Sequence, residues 1–225
     1  MRTFLKNRVR KYWPTLFRRF VQKRLVDRRL PKYFLDDLKR LNERHTVIDV
    51  GANVGHISEI LARTGASVIS FEPSSRAYDQ LKKCSKKYPN IKPFKKAAGT
   101  QNREVKLYLN CDTDELPDKD LTQSSSLLVE KPNVSSAIFD TVDEIDFSSY
   151  LKSLNTQIEL MKVDIEGYEI ALLNHLIDTN TICLINNIYV ETHECQFPEL
   201  KEVTEDLKTK VEQLGLNNKF KFDWH

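Results

Sequence analysis

Apolar and polar positions follow two different rhythms along the chain. In residues 1–30 apolar side chains recur at steps of three and four between basic residues, which predicts amphipathic helix with a break or kink near Pro14. From residue 46 onward, short apolar runs alternate with segments of helical spacing. The runs predict strands at 46–50, 67–71, 159–163 and 185–190, and the segments predict helices at 56–63, 76–87, 168–177 and 198–214.

Between residues 93 and 145 strand-like runs follow one another without helices. They cover 93–97, 104–110, 126–130 and 137–141, with a polar loop at 112–123, and a last short strand is predicted at 219–223. This order predicts an α/β fold with a mostly parallel central sheet flanked by helices, and with extra strands between the third and fourth parallel strands. Ligands of such sheets bind at the carboxyl ends of the strands, so we expect the chemistry there.

Charge divides the chain into two parts. Residues 1–32 hold twelve Lys or Arg and one acidic residue, whereas residues 33–225 hold 23 basic and 31 acidic residues. We therefore expect a basic amphipathic helical arm at 1–32 and one domain at 33–225. The apolar stripe of the arm either packs on the domain or lies on an anionic membrane surface. Nucleic acid is the less favoured partner, because an acidic domain repels phosphate.

No apolar run is long enough to span a membrane, and charges interrupt every run that resembles a signal peptide. The expected location is the cytoplasm, with peripheral contact at a membrane surface through residues 1–30 as its extension. The four cysteines, at 84, 111, 183 and 195, have no metal-ligand or redox spacing, so we interpret them as reduced structural thiols.

The first motif with chemical content lies where the first strand passes into a helix. It reads Asp49-Val50-Gly51-Ala52-Asn53-Val54-Gly55. Glycines allow the backbone to approach a ligand closely, and the helix start offers free amides. A nicotinamide dinucleotide fingerprint would need glycine at 53 and 56, where the chain has Asn53 and His56, and no Gly-Lys-Ser/Thr of a P-loop follows.

Glu72 ends the second predicted strand, twenty-one residues after Gly51. An acidic side chain at this place can accept both hydroxyls of a ribose. A nucleoside recognised without phosphate groups fits S-adenosylmethionine. Alone, Glu72 is equally compatible with a surface carboxylate and Asp49 with a helix cap, so the prediction depends on their combination with the glycine turn.

Charged residues also follow the next two parallel strands. Strand alternation sends Lys162, Asp164 and Glu166 to one side of the chain, where a cationic sulfonium and a hydroxyl substrate would offset their cost. The simpler interpretation is a strand exit with Glu166 and Glu169 near the positive end of a helix. His193 follows a strand that we expect beside the one ending at Asp164, and its near-neutral pKa suits removal of a hydroxyl proton. The other histidines are interpreted as structural.

Together these motifs resemble the FkbM family of S-adenosylmethionine-dependent methyltransferases. The resemblance covers about residues 45–195. It rests on the following segments, in this order: Val47-Ile48-Asp49-Val50-Gly51-Ala52-Asn53-Val54-Gly55, Phe71-Glu72-Pro73, Ala98-Gly99, Ser124-Ser125-Ser126-Leu127, Thr141-Val142-Asp143, Lys162-Val163-Asp164-Ile165-Glu166-Gly167-Tyr168-Glu169 and Glu191-Thr192-His193.

The resemblance implies a Rossmann-like class I methyltransferase fold and O-methylation, usually of hydroxyls on sugars, glycans or polyketide-type products. By position it implies that Gly51, Asn53 and Gly55 line the methionine part of the cofactor, that Glu72 binds the ribose, and that Asp164 lies near the methyl donor. It also places three further residues among the cofactor contacts, namely Asp49, Pro73 and Ala98.

Methyl transfer is an in-line displacement, so the protein has to align the acceptor oxygen and remove its proton. We expect His193 to be the base, with Glu191 or Glu166 orienting it and Asp164 positioning the cofactor or substrate. Asp164, Glu191 and His193 holding Mg²⁺ or Mn²⁺ is the less favoured alternative, and we assign no metal. Two other functions stay open: a methyltransferase acting on ribose 2′-hydroxyls or elsewhere on nucleic acid, and a non-catalytic S-adenosylmethionine-binding module.

Overall fold

The computed structural model describes residues 30–110, 134–194 and 198–224. Residues 1–29 of the expected arm, the whole polar loop at 112–123 and the strand predicted at 126–130 lie outside these residues. The described part contains six α-helices: α1 (Lys32–Leu38), α2 (His56–Ala62), α3 (Ser75–Lys87), α4 (Phe147–Leu154), α5 (Glu169–Asp178) and α6 (Leu200–Gln213). It also contains nine strands: β1 (Thr46–Val50), β2 (Ser67–Phe71), β3 (Ile91–Phe94), β4 (Ala97–Gly99), β5 (Arg103–Asn110), β6 (Val134–Asp146), β7 (Ile158–Val163), β8 (Ile185–Val190) and β9 (Phe220–Lys221).

The strands form two sheets. Six of them lie in the order β3-β2-β1-β7-β8-β9, with every neighbouring pair parallel. Strands β4, β6 and β5 form a separate three-stranded sheet, in which β5 and β6 are antiparallel. The predicted α/β fold is confirmed, including the mostly parallel central sheet and the extra strands between its third and fourth strands along the chain.

Helices cover both faces of the six-stranded sheet because its strands are apolar on both sides. Neighbouring residues such as Val47 and Ile48 enter two different core layers. Helices α1, α2 and α3 pack on the face that contains Val47, and α4, α5 and α6 pack on the face that contains Ile48. The carboxyl ends of the strands therefore form one edge between two helical layers.

The structure corrects the elements between β3 and β7. The single strand predicted at 93–97 is two strands, β3 and β4, which belong to different sheets and are separated by Lys95 and Lys96. Strand β6 extends on both sides of the predicted 137–141, and helix α4 was not predicted. Asp146 begins this helix by accepting the amide of Ser149 at 3.2 Å.

The two ends of the described chain also differ from the sequence expectation. Helix α1 crosses the boundary expected between residues 32 and 33, and Phe34 and Leu38 on it are buried. The last strand is limited to the two residues of β9. Within the described residues, no helix has both the length and the apolar character needed to cross a membrane.

Candidate active site

The glycine turn after β1 lies so close to the end of the neighbouring strand β7 that position 51 has no room for a side chain. Gly51 has φ +76°, and a Cβ on it would lie 1.7 Å from the carbonyl oxygen of Asp164. Its amide donates to the carbonyl of Phe71 at 3.0 Å. The turn is therefore fixed between the ends of β2 and β7, which requires a residue without a side chain.

Glu72 holds this turn from the end of β2. The amide of Asn53 donates to its Oε2 at 2.8 Å, and the amide of Ser74 donates to its Oε1 at 2.8 Å. Burial raises the pKa of Glu72 to about 7, although these two bonds act in the opposite direction. Each oxygen retains a further lone pair, so the carboxylate can still accept hydroxyl groups of a ligand.

Lys162, buried near the end of β7, links the glycine turn to the next strand end. Its Nζ donates to the carbonyl oxygen of Gly51 at 3.0 Å and to Oδ2 of Asp164 at 2.9 Å. Burial favours the neutral amine, but the charges of Asp164 and Asp49 prevail and raise the pKa of Lys162. A charged amine thus connects the turn with the carboxylate of Asp164.

Asp49 lies below the turn, fully buried. Its Oδ2 accepts the hydroxyl of Ser58 at 2.6 Å, and its Oδ1 lies 3.7 Å from Nζ of Lys162. Burial raises its pKa. The structure therefore connects Asp49 to the turn through Lys162 and to α2 through Ser58.

His193 follows β8 and its side chain is only 2% exposed. Its Nδ1 lies 2.6 Å from Oε1 of Glu169, a fully buried carboxylate whose Oε2 accepts the amide of Gly167 at 2.7 Å. This contact fixes the plane of the ring and directs Nε2 away from Glu169. We expected Glu191 or Glu166 to orient the ring, but Glu169 in the first turn of α5 does so instead. Its place in the motif was the available signal for this role.

The other ring nitrogen of His193 faces two partly exposed carboxylates. Nε2 lies 3.3 Å from Oε2 of Glu166 and 3.8 Å from Oδ1 of Asp164, whose side chains are 20% and 25% exposed. Burial alone lowers the pKa of His193, but the hydrogen bond and charge of Glu169 and the other two carboxylates raise it to about 9. Without a ligand, the ring therefore carries a proton at neutral pH.

Glu191 completes the cluster at the ends of β7 and β8. Burial and the neighbouring charge of Asp164 raise its pKa to about 7. Asp164, Glu191 and His193 can each direct one ligand atom to a common point, because these atoms lie within 4.8 Å of one another. Two carboxylates and an imidazole whose other nitrogen is held by a carboxylate are also a donor set that suits a divalent cation.

The small sheet is joined to this edge through Glu144 on β6. Its buried carboxylate accepts Nε of Arg103 at 2.6 Å and the amide of Thr100 at 2.8 Å. It also accepts the hydroxyl of Tyr168, the residue before Glu169, at 3.2 Å. The loop that positions Glu169 is thus tied to the extra strands.

The structure brings most of the predicted site residues to one edge, in two groups that Lys162 connects. The first group contains Asp49, Gly51, Asn53 and Glu72, and the second contains Asp164, Glu166, Glu191 and His193. Pro73 follows Glu72 and is half-buried, and Gly55, at φ +91°, begins α2. Ala98 on β4 is buried in the core layer that contains Phe71.

A parallel sheet with a glycine turn after β1, an acid after β2 and charged groups after β7 and β8 defines a Rossmann-like α/β protein, a class whose ligands bind at the carboxyl edge of the sheet. Comparison with known families narrows this class. The methyltransferase FkbM domain matches residues 49–216, which include both groups of the site. The chain belongs to the FkbM methyltransferase family.

A curated relative also supports methyl transfer. The chain is 32% identical over 83 residues to ribosomal RNA small subunit methyltransferase A of Thermotoga petrophila. The match covers 37% of this chain and 32% of that protein. The chain thus corresponds to about a third of the length of this relative.

Proposed function

We propose that the protein is an S-adenosylmethionine-dependent O-methyltransferase that acts on a hydroxyl of a sugar or glycan, with His193 as the base. One observation carries the proposal: a buried histidine, held at Nδ1 by Glu169, directs Nε2 to the same sheet edge at which Glu72 ends β2. A proton acceptor for the hydroxyl and a carboxylate that can accept ribose hydroxyls at the same edge support this function.

The residues present fit S-adenosylmethionine, which supplies an activated methyl group on a sulfonium when bound. Glu72 has oxygen lone pairs available for the ribose hydroxyls, and the turn at Gly51 lets the backbone approach the ligand. The site is also strongly acidic, with two cationic side chains, Lys162 and His193, among six carboxylates: Asp49, Glu72, Asp164, Glu166, Glu169 and Glu191. Such a surplus favours a positively charged ligand.

His193 acts on the acceptor hydroxyl in this proposal. Its Nδ1–H donates to Glu169, so a neutral ring has its lone pair on Nε2. At a pKa of about 9 the ring first has to lose its own proton. A cation bound beside Asp164 and Glu166 offsets their negative charge, so we expect it to lower the pKa of His193 toward neutrality.

The test is turnover and cofactor affinity of His193→Ala, with labelled S-adenosylmethionine and a panel of sugars and glycans. We expect kcat to fall about a hundredfold or more, as for loss of a general base, with the Kd of the cofactor nearly unchanged. His175→Ala is the matched control, because His175 lies on α5, is paired with Asp146 and is not part of this cluster. Unchanged turnover in His193→Ala would contradict the assignment.

A nucleic-acid substrate is the second candidate, and the similarity to a ribosomal RNA methyltransferase is the observation that favours it. The acceptor would then be a ribose 2′-hydroxyl or another group of RNA. Methylation of RNA but no sugar in the same labelling assay, together with a steep salt dependence of RNA binding, would select this function. Binding of S-adenosylmethionine with no acceptor in either panel would instead favour a non-catalytic module.

A divalent metal is the remaining alternative for the second group of the site. Asp164, Glu191 and His193 would hold it, and it would polarise the acceptor oxygen. Activity that is lost in excess EDTA and restored by Mn²⁺ or Mg²⁺ would support this role. Full activity in EDTA would contradict it.

A further inference from the structure

A strongly basic surface lies at one end of the six-stranded sheet, apart from the site described above. Residues 75–96 form α3, β3 and the two residues after β3, the end strand in the sheet order. They contain one arginine, Arg76, one acidic residue, Asp79, and seven lysines, at 82, 83, 86, 87, 92, 95 and 96. We call this region the α3–β3 surface.

The lysines of the α3–β3 surface face solvent. Six of the seven are exposed and Lys96 is half-buried, while Ala77 and Leu81 bury the opposite side of α3. Within the described part of the chain, none of the seven forms an ion pair with a carboxylate. Four lysines elsewhere do form such pairs, namely Lys39, Lys162, Lys208 and Lys210.

The α3–β3 surface is positively charged, whereas the rest of the domain carries a net negative charge. Outside residues 75–96, the expected domain at 33–225 has 15 basic and 30 acidic residues. Positive charge is therefore concentrated on one helix and one strand end of an acidic body. Such a concentration produces a local potential that attracts a polyanion.

Two observations favour lipid headgroups over nucleic acid as that polyanion. Seven of the eight cations are lysines, whose point charge needs no fixed geometry, whereas bidentate phosphate recognition uses arginine. The aromatic rings of the surface are half-buried, and Nζ of Lys87 lies 5.3 Å from the ring centre of Tyr88, which leaves no open platform for stacked bases.

We propose that the α3–β3 surface binds the anionic headgroups of a lipid bilayer. Its lysines on α3 all lie in the second half of the helix, whereas the half nearer Glu72 carries none. The proposal does not depend on the methyl acceptor, because it uses no residue of the active site.

The test is cosedimentation of the full chain with vesicles of phosphatidylcholine, with or without phosphatidylserine. We expect binding to the phosphatidylserine vesicles that weakens with salt. Lys82→Gln with Lys86→Gln should lower the apparent affinity about tenfold or more, because one lysine near an anionic membrane contributes about fivefold. The matched control is Lys152→Gln with Lys201→Gln, which removes two exposed lysines from α4 and α6 on the opposite face.

The outcomes separate this surface from other sources of binding. Vesicle binding that is reduced in the α3 variant and preserved in the control supports the proposal. Equal binding by both variants assigns the interaction to other residues and overturns the proposal. Wild-type protein that binds vesicles equally with and without phosphatidylserine also overturns it. An RNA oligonucleotide that binds the wild type, and binds the α3 variant weakly while vesicles bind neither, overturns it in favour of a nucleic-acid surface.

Discussion

Glu72 combines two tasks that depend on its charge: it orders the glycine turn, and in the proposed function it accepts the ribose hydroxyls. Its pKa of about 7 lies above the ordinary value because the carboxyl is buried. Below that pH the group is protonated and loses acceptor capacity. We therefore expect the affinity for S-adenosylmethionine to fall as the pH decreases from 8 to 6, by up to about tenfold per pH unit below the pKa.

Titration calorimetry at several pH values measures this dependence on Glu72. Glu72→Gln should bind weakly at every pH, because an amide offers one oxygen where two backbone amides now donate. Glu191→Gln is the control, since burial and Asp164 raise the pKa of Glu191 to about 7 as well. A pH dependence that disappears in Glu191→Gln and persists in Glu72→Gln would contradict the prediction.

His193 should make the reaction rate increase with pH. A base has to be neutral, and the pKa of about 9 means that the free protein holds the proton below that pH. With the cofactor as the varied substrate, kcat/KM should increase with pH and level off above about 9. The rise in kcat should lie at lower pH, because kcat refers to the complex in which a bound cation offsets the neighbouring carboxylates.

Glu169 raises the pKa of His193 through its contact with Nδ1. Glu169→Gln keeps the shape of the side chain and removes its negative charge. We expect the rise in kcat/KM to move to lower pH, together with a lower kcat because the amide directs the ring less strictly. Glu166→Gln is the comparison, because that carboxylate faces Nε2 instead. A profile that does not move in Glu169→Gln would contradict this role.

At the scale of elements, the turn between β1 and α2 requires glycine at position 51 for two reasons. One is the positive φ of the backbone, and the other is steric contact with the chain after β7. Gly51 and Gly215 both have positive φ, but a Cβ on Gly215 meets nothing within 4 Å. We expect Gly215→Ala to cost about 1 kcal/mol in the free energy of unfolding. Gly51→Ala should cost about 3 kcal/mol or more, because its Cβ meets the backbone of β7.

Urea denaturation of the two alanine variants measures this difference. Both positions have a positive φ, so the difference in the free energy of unfolding between the two variants measures the cost of contact with Asp164. A Gly51→Ala variant as stable as Gly215→Ala would show that β7 can move away from the turn. Loss of the folded state in Gly51→Ala alone agrees with the prediction.

Elements with strong local patterns could be predicted from the sequence, and those defined by pairing partners could not. Strands β1, β2 and β8 were predicted at their observed bounds because apolar, mostly β-branched residues dominate each of them and at least their last three residues are buried. The break at Lys95 and Lys96 was missed, because the assignment of β3 and β4 to different sheets depends on β2 and β6 and not on local pattern.

The candidate site also has a part that could be predicted from the sequence and a part that could not. The ends of parallel strands meet at one edge, so the proximity of Asp164 to His193 followed from the predicted order of elements. The partner of Nδ1 did not, since Glu169, Glu166 and Glu191 are all near that edge in sequence. Only the path of the loop through Gly167 directs Glu169 under the ring.

Across the whole molecule, the two ends of the described chain close one face of the sheet. The ring of Phe34 on α1 is fully buried and contacts Tyr189 of β8 and Trp224, with ring centres 5.0 and 4.6 Å apart. Tyr189 also donates to Asp37 and Tyr33 donates to Asp223. Helix α1 therefore belongs to the core.

This arrangement predicts different results for two changes near the start of the chain. Deletion of residues 1–29 should leave the midpoint of urea denaturation and the affinity for S-adenosylmethionine nearly unchanged, because Phe34 of α1 packs against Tyr189 and Trp224 and the deleted segment contains none of the site residues. Phe34→Ala should cost about 3–5 kcal/mol in the free energy of unfolding, the usual result of removing a fully buried phenyl ring. Leu214→Ala, at a residue 54% exposed, is the control and should change stability by less than about 0.5 kcal/mol. A deletion that unfolds the protein, with Phe34→Ala as stable as Leu214→Ala, would show that the segment and not α1 closes this face.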